Sequence, residues 1–452
     1  MAILSEQHAK ELLKKVLSYS KADECECNLD GTFTGNIRYA RNTVTTAGEA
    51  QDVVLAVQST YGKKVGIATI NEFDDSSLKK VVRRSEELAK LAPENPEYMA
   101  NLGPQKYLKA SNFAKSTASV KPADRANAAD ASISPSKKSK LVASGFLDDT
   151  VQFSAIMNKA GLFAYNISTD VNFSVTIRTE DGKGSGWASR DYADVSKLDT
   201  QRISQIAIDK SIASASAKAL EPGKYTVILE PAASVGLLTN LARAMDQRNA
   251  DEGRSFLSLQ AKEGEKEGEL KGPINKLGQK MFDERVNIYS DPQHSEVPTA
   301  PFSNDGYAVE KTYWVKGGTI ANMPNSAYWA KKTNTSYKPQ ARGNEQIIME
   351  GGNESLEEMI KNTRRGILVT RLWYIRQLDP QSLMYTGLTR DGTFYIENGK
   401  IKHPVKNFRF NESPIVMLNN IEALGKPERI SGCMIPPMKI RDFTFSSTSD
   451  AV

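Results

Sequence analysis

One strand–helix unit constrains this chain more than anything else in it. Pro222-Gly223 interrupts the chain, residues 224–229 read as a strand, and Glu230-Pro231 opens a helix. Over residues 231–246 that helix carries Val235, Leu237, Leu238, Leu241, Ala242 and Met245 around most of its circumference. A helix that is apolar on nearly every side has to be buried. The unit therefore predicts the centre of a core, and a fold that leaves it on the surface is excluded. Arg243 is the exception, and a buried arginine needs an acidic or carbonyl partner.

On either side of that unit the pattern changes. A helix over residues 5–18, with Ala9, Leu12, Leu13, Val16 and Leu17 on one face, leads to strands near 35–40 and 52–59. Tyr61-Gly62-Lys63-Lys64 then turns the chain into a strand over 65–70, the signature of a hairpin. Asp75 or Ser76 can cap the next helix, whose apolar face is Leu78, Val81, Val82, Leu88 and Leu91 and which Pro93 and Pro96 close. Residues 110–140 differ. Ala, Ser and Lys dominate, and such a stretch buries little surface by itself. It predicts a solvent-facing helix from Pro122 to about Ser132 with flexible links, the most mobile internal part of the chain. Strand patterns return at 140–144, 151–157, 162–168 and 172–178, before an Ala-rich helix over about 199–219. Beyond the apolar helix, short strands and turns rich in Gly, Asn and Asp, such as 392–397, predict a mainly antiparallel sheet. The expected fold class is α+β: an N-terminal α/β domain (1–109), a middle domain with the Ala/Ser/Lys-rich insert (110–221) and a C-terminal domain rich in antiparallel β-sheet (222–452).

Composition narrows the function. With 452 residues, 39% hydrophobic and 25% charged, the chain can build a real core. No apolar run reaches the roughly 20 residues that cross a bilayer, and the start lacks a signal-type apolar region and cleavage site, which predicts a cytoplasmic protein. A net charge of +5 scattered over 59 basic and 54 acidic residues is too mild for nucleic acid. Three cysteines fit a reducing compartment. Cys25 and Cys27 sit two apart, on one face of an extended segment, but no second Cys or His pair lies near them, so they read as reduced thiols.

The motifs of chemistry are missing. His8, His294 and His403 are isolated from one another, with no H-E-x-x-H and no ligand cluster. No G-x-S-x-G or P-loop is present. Gly182-Lys183-Gly184-Ser185-Gly186 reads as a hairpin turn, and Asp74-Asp75 and Glu357-Glu358 read as helix starts or faces. No catalytic and no metal-binding residue is assigned. The segment with unusual residue choice is 370–398, which packs together Arg371, Trp373, Tyr374, Arg376, Arg390 and Asp391. Arginines with aromatics suit a surface that grips a peptide or another subunit. Plain strand alternation, aromatics inward and arginines paired at the surface, is the other reading.

Taken in order, these segments resemble a known family. Asn36-Ile37-Arg38 with Asn42-Thr43-Val44 and the run from Gly62 to Thr69 come first, followed by Gly182–Gly186 with the helix after it. The run from Gly223 to Pro231, Asp251–Phe256, Asn304-Asp305-Gly306 and Ile396–Lys400 complete the series. Together they resemble the TldD/PmbA family, also called modulators of DNA gyrase. The family's peptidase subunit carries His-Glu, three residues, then His on the helix after the strand that opens its third domain, and a later cysteine joins the zinc site. By placement, Thr239 and Asn240 stand where the first His and the Glu belong, and Ala244 where the second His belongs. Cys433 lies beyond the place expected for the cysteine. The resemblance implies the TldE/PmbA side of the family, in which a subunit without the zinc motif pairs with a zinc-bearing TldD-like subunit. It implies a dimer around a peptide-accepting cavity, proteolysis of small or unfolded peptides, zinc in the partner and none here, and neither nucleic acid nor membrane as partner. Two alternatives stay open: a metallopeptidase with an atypical metal site, and a peptide-binding homodimer without proteolytic activity.

Overall fold

Ser5 starts the first helix: its hydroxyl accepts from the His8 N–H at 3.3 Å, and α1 (Glu6–Tyr19) turns Ala9, Leu13 and Val16 inward. The computed structural model describes residues 3–259, 274–343 and 346–449. After α1 come β1 (Glu24–Ala40), β2 (Thr43–Tyr61), β3 (Lys64–Ile70), α2 (Asp75–Leu91), α3 (Pro122–Lys138), β4 (Leu141–Asn158), β5 (Phe163–Thr179), β6 (Ser185–Tyr192) and α4 (Thr200–Ser214). The strands form one antiparallel sheet in the order β3-β2-β1-β4-β5-β6. Strand side chains alternate between faces, so Cys25, Cys27, Leu29, Ile37 and Tyr39 of β1 all point to the helical side. There α1 and α2 cover one end of the sheet and α3 and α4 the other. β1 pairs with β4 along most of its length, so the boundary expected at 109/110 falls within a segment whose two sides share one sheet.

Several local expectations are corrected. The short strand patterns at 140–157 and 162–178 are two long strands, and those at 35–40 and 52–59 belong to strands that continue to a turn at Arg41 and Asn42. Asp74, rather than Asp75 or Ser76, caps α2 by accepting from the Ser76 and Ser77 N–H groups at 2.9 and 3.1 Å. The helix expected over 199–219 stops at Ser214. The helix at Pro122 is not solvent-facing. It runs on to Lys138, and its Ala128, Ala129 and Ile133 share a core with Ile37, Tyr39 and Phe173. Its Arg125 is 2% exposed and donates to both carboxylate oxygens of Asp149 at 2.5 and 2.9 Å and to Glu49 at 2.9 Å. Gly35 of β1 makes room for it, since a Cβ there would lie 1.7 Å from the Arg125 Nη2. A face of Ala and Ser offers little apolar area, yet it lets the helix sit close on the sheet, and the buried cation finds carboxylates that are remote in sequence.

The second half runs β7 (Gly223–Leu229), α5 (Pro231–Arg243), α6 (Gln247–Asp251), β8 (Ile288–Ser290), β9 (Thr312–Lys316), β10 (Thr319–Ile320), α7 (Ala327–Thr333), β11 (Ile348–Met349) and α8 (Leu356–Lys361). It continues with β12 (Arg365–Asp379), β13 (Met384–Glu397), β14 (Lys400–Pro404), β15 (Asn407–Glu412), α9 (Pro414–Asn419), β16 (Ile421–Leu424), β17 (Glu428–Ile430), β18 (Cys433–Ile435) and β19 (Met438–Ser449). A seven-stranded sheet follows the order β12-β7-β19-β15-β13-β14 with β16 paired to β19 off this path, and β12 also pairs with β13, which closes five of its strands into a ring. A six-stranded sheet, β10-β9-β8-β11-β18-β17, lies beside it. Between them α5 buries Ala233, Leu237, Leu238 and Leu241 in a core shared with Ile367 and Val369 of β12, Ile288 of β8 and Ile435 of β18. The fold is thus α+β, with the apolar helix at the centre of its second half.

Polar clamps join the halves. The buried guanidinium of Arg429 donates to Asp191 at 2.8 Å and Asp170 at 3.1 Å, Lys210 pairs with Glu230 at 2.7 Å, and Arg342 with Asp30 at 2.6 Å. No helix among the described residues is long and apolar enough to cross a membrane.

Candidate functional site: the cleft beside the apolar helix

The positions to which the resemblance assigns zinc chemistry, Thr239, Asn240 and Ala244, lie at the C-terminal end of α5. Gly236 lets this helix close on β12, because a Cβ there would meet Ile375 Cδ1 at 2.8 Å. Thr239 turns its hydroxyl back onto the helix, donating to the Val235 and Gly236 carbonyls at 2.9 and 3.2 Å. Asn240, Arg243 and Ala244 line a cleft of about 400 Å³ whose other wall is Ile375, Arg376 and Gln377 of β12 with Leu383 and Tyr385. Asn249, Arg254 and Ser255 close its end. Tyr385 accepts from the Gln377 amide at 3.3 Å, and burial pushes its phenol above the usual range. Arg243 is exposed at the end of α5 rather than buried, because the helix stops at that residue and not at 246.

The donor set does not fit zinc. Thr239 has spent its hydroxyl on the backbone, Ala244 offers a methyl group, and an amide at 240 cannot act as the general base that a carboxylate would supply. Cys433 is closer to this region than the sequence suggested. It sits on β18 in the same core as α5, and burial pushes its thiol up to about 11. The histidines do not converge. His8 is exposed on α1, His294 accepts from the Glu296 and Val297 N–H groups through Nδ1 at 3.2 and 3.1 Å, and His403 stacks on Tyr395 with ring centroids 5.3 Å apart. Among the described residues no three or more His, Cys, Asp and Glu side chains are grouped to hold a metal ion.

The six residues singled out in 370–398 separate into two sets. Arg371 of β12 and Asp391 of β13 form a 2.7 Å ion pair. Asp391 is 1% exposed and holds a left-handed backbone, φ 57°. Its other carboxylate oxygen accepts from Ser185 of the first sheet at 2.6 Å, and Arg390 Nε lies 3.8 Å from the oxygen that Arg371 holds. The Arg371 guanidinium lies over the rings of Trp187 and Trp373, 4.5 and 5.1 Å from their centroids. Burial pushes it below its usual pKa, against the pull of Asp391. This set is a joint between the halves; of its members from the first sheet, Ser185 was read only as part of a hairpin turn and Trp187 carried no signal in the sequence. Tyr374 and Arg376 form the second set, on the part of β12 beside the α5 cleft, with the Arg376 guanidinium 4.5 Å over the Tyr374 ring. Simple alternation fails here: Trp373 and Tyr374 are 43% and 59% exposed, while the carboxylate at 391 is the group turned inward.

Comparison with known proteins agrees with this architecture. Residues 30–89, 112–215 and 222–447 match, in turn, the models for domain 1, the central domain and the C-terminal domain of the PmbA/TldA metallopeptidases. Curated relatives include a metalloprotease PmbA homolog of Buchnera aphidicola, 22% identical over 62% of this chain and 59% of its own length. Metalloprotease PmbA of Escherichia coli O157:H7 is 22% identical over 63% of this chain and 61% of its own length. The match thus spans about three fifths of these relatives. Among solved structures, TldE from Thermococcus kodakarensis superposes with a TM-score of 0.85 at 17% identity, covering 97% of this chain and 99% of that one. A protein from Thermotoga maritima described as a modulator of a DNA gyrase gives 0.84 at 17% identity, covering 97% and 100%. With all three domain models matched in order over most of its length, the chain belongs to the PmbA/TldD family.

Proposed function

We propose that this chain is a non-catalytic subunit of a cytoplasmic peptidase assembly, pairing with a zinc-bearing TldD-like chain that hydrolyses small or unfolded peptides. The observation that carries the reading is the replacement on α5. Thr239, Asn240 and Ala244 occupy the turn where a metallopeptidase of this family would present imidazole, carboxylate and imidazole, and none can do that work. The helix itself is kept, buried at 0% exposure at Leu237, Leu238 and Leu241, as expected of a part retained for shape. The curated relatives are named metalloproteases, which supports a role in proteolysis for the assembly and leaves the chemistry to the other subunit. The exposed Trp373, Tyr374 and Leu378 on β12 offer apolar surface for a subunit or peptide contact. Affinity purification of the tagged chain from its own cells tests the pairing. The expected result is recovery of a family member with an intact His-Glu-x-x-x-His helix, with zinc in the complex. Recovery of the chain as a homodimer alone contradicts it.

A further inference from the structure

With the zinc donors replaced, the α5 cleft has a chemistry of its own. Its polar lining includes Arg243, Arg254 and Arg376 with Asn240, Asn249 and Gln377, and no acidic residue is among the described residues lining it. These cations come from three separate segments: the end of α5, the loop after α6, and β12. Arg243 stands in the last turn of α5, where a cation complements the helix dipole, and it has contacts of its own. Arg254 pairs with Glu252, which Arg248 shares, so part of its charge is offset outside the cleft. Arg376 has no ion pair among the described residues; the Tyr374 ring supports it at 4.5 Å. Three arginines on the lining of one cavity of about 400 Å³, with no carboxylate among the described residues lining it, favour an anion there. The planar fork of arginine matches the two oxygens of a carboxylate.

The geometry points to a carboxylate-binding site in this cleft, with Arg376 and Arg254 gripping the carboxylate while Ile375 and Leu383 receive an apolar side chain beside it. The carboxylate is the C-terminus of a peptide, a choice of bearer that rests on the peptide-handling reading above. A free small acid is the other source of the same chemistry.

Fluorescence anisotropy on the purified full chain tests the site. The probe is an N-terminally labelled unstructured peptide ending in leucine with a free carboxylate, compared with the same peptide amidated. Amidation is expected to weaken binding about tenfold or more, the loss of a charge-assisted hydrogen-bonded pair. Arg376→Gln and Arg254→Gln should each weaken the free acid by a similar factor and leave the amide unchanged, whereas Arg84→Gln on the exposed face of α2 should change neither. Unchanged unfolding midpoints would show that the variants are folded. Displacement of the probe by N-acetylleucine at equal affinity supports the carboxylate site and assigns it to free acids. Equal binding of acid and amide, or no binding of either, overturns the proposal. The readout needs neither a partner chain nor cleavage, so the subunit reading can fail with this result intact, and the reverse.

Discussion

Asp170 shows how a single residue makes the joint between the halves sensitive to pH. Burial, with help from the neighbouring Asp191, pushes its carboxyl up to about 7 against the pull of Arg429. In the unfolded chain the same group titrates near 4. The folded protein therefore takes up a proton at a pH where the unfolded chain does not. The stabilisation this brings is fully present below about pH 4 and is lost as pH rises through about 7. The side chain is 45% exposed, so solvent screening trims the effect. Thermal unfolding of the wild type and Asp170→Asn at pH 5 and pH 8 checks this. The wild-type midpoint, relative to the variant, should fall from pH 5 to pH 8, and an offset that does not change with pH would show that the group titrates normally. Nothing in the sequence marked this carboxylate, because Asp191 and Arg429 reach it from other strands. The same holds for Arg125, which read as part of a polar insert and is buried against Asp149 and Glu49. A residue's environment is nearly legible in sequence when its partners are close in the chain, as for the start of α2, where the cap is Asp74, one residue before the Asp75 expected, and it is hidden when they come from across a sheet.

At the scale of the element, the burial of α5 was legible and that of α3 was not, and the difference is physical. α5 announces burial through large side chains on nearly every side. α3 buries alanine and serine, which composition cannot tell from a solvated helix. Strand lengths were also misjudged, because Gly, Asn and Thr interrupt the alternation inside β1 and β2 while backbone pairing carries on through them. For α5 the account makes a contrast that can be measured. Leu238 is fully buried, so Leu238→Asp places a charge in the core and should cost several kcal/mol, enough to unfold the chain or leave it aggregated. Asn240 faces the cleft, and Asn240→Ala should shift the unfolding midpoint by no more than a few degrees. Size-exclusion chromatography and thermal melts of the two variants decide between these. A folded, stable Leu238→Asp protein would mean that α5 is not the core of the second half.

For the whole molecule, the order of segments pointed to the family and the α+β class, while the way the parts are joined was out of reach. The first sheet runs across the stretch where a domain boundary was expected, and the ring of β12, β7, β19, β15 and β13 brings together strands more than two hundred residues apart in sequence. The six residues of 370–398 were noticed as a set, and the fold divides them between an inter-half joint at Asp391 and the rim of the α5 cleft. What unites these scales is the buried helix α5, with Thr239, Asn240 and Ala244 at the positions where the proposed function expects zinc chemistry to be missing. The most direct test of that claim is hydrolysis of an unstructured peptide by the purified chain alone, with zinc supplied and with a chelator. The account predicts no chelator-sensitive cleavage. Chelator-sensitive cleavage that disappears on substitution of one residue of this chain would contradict it.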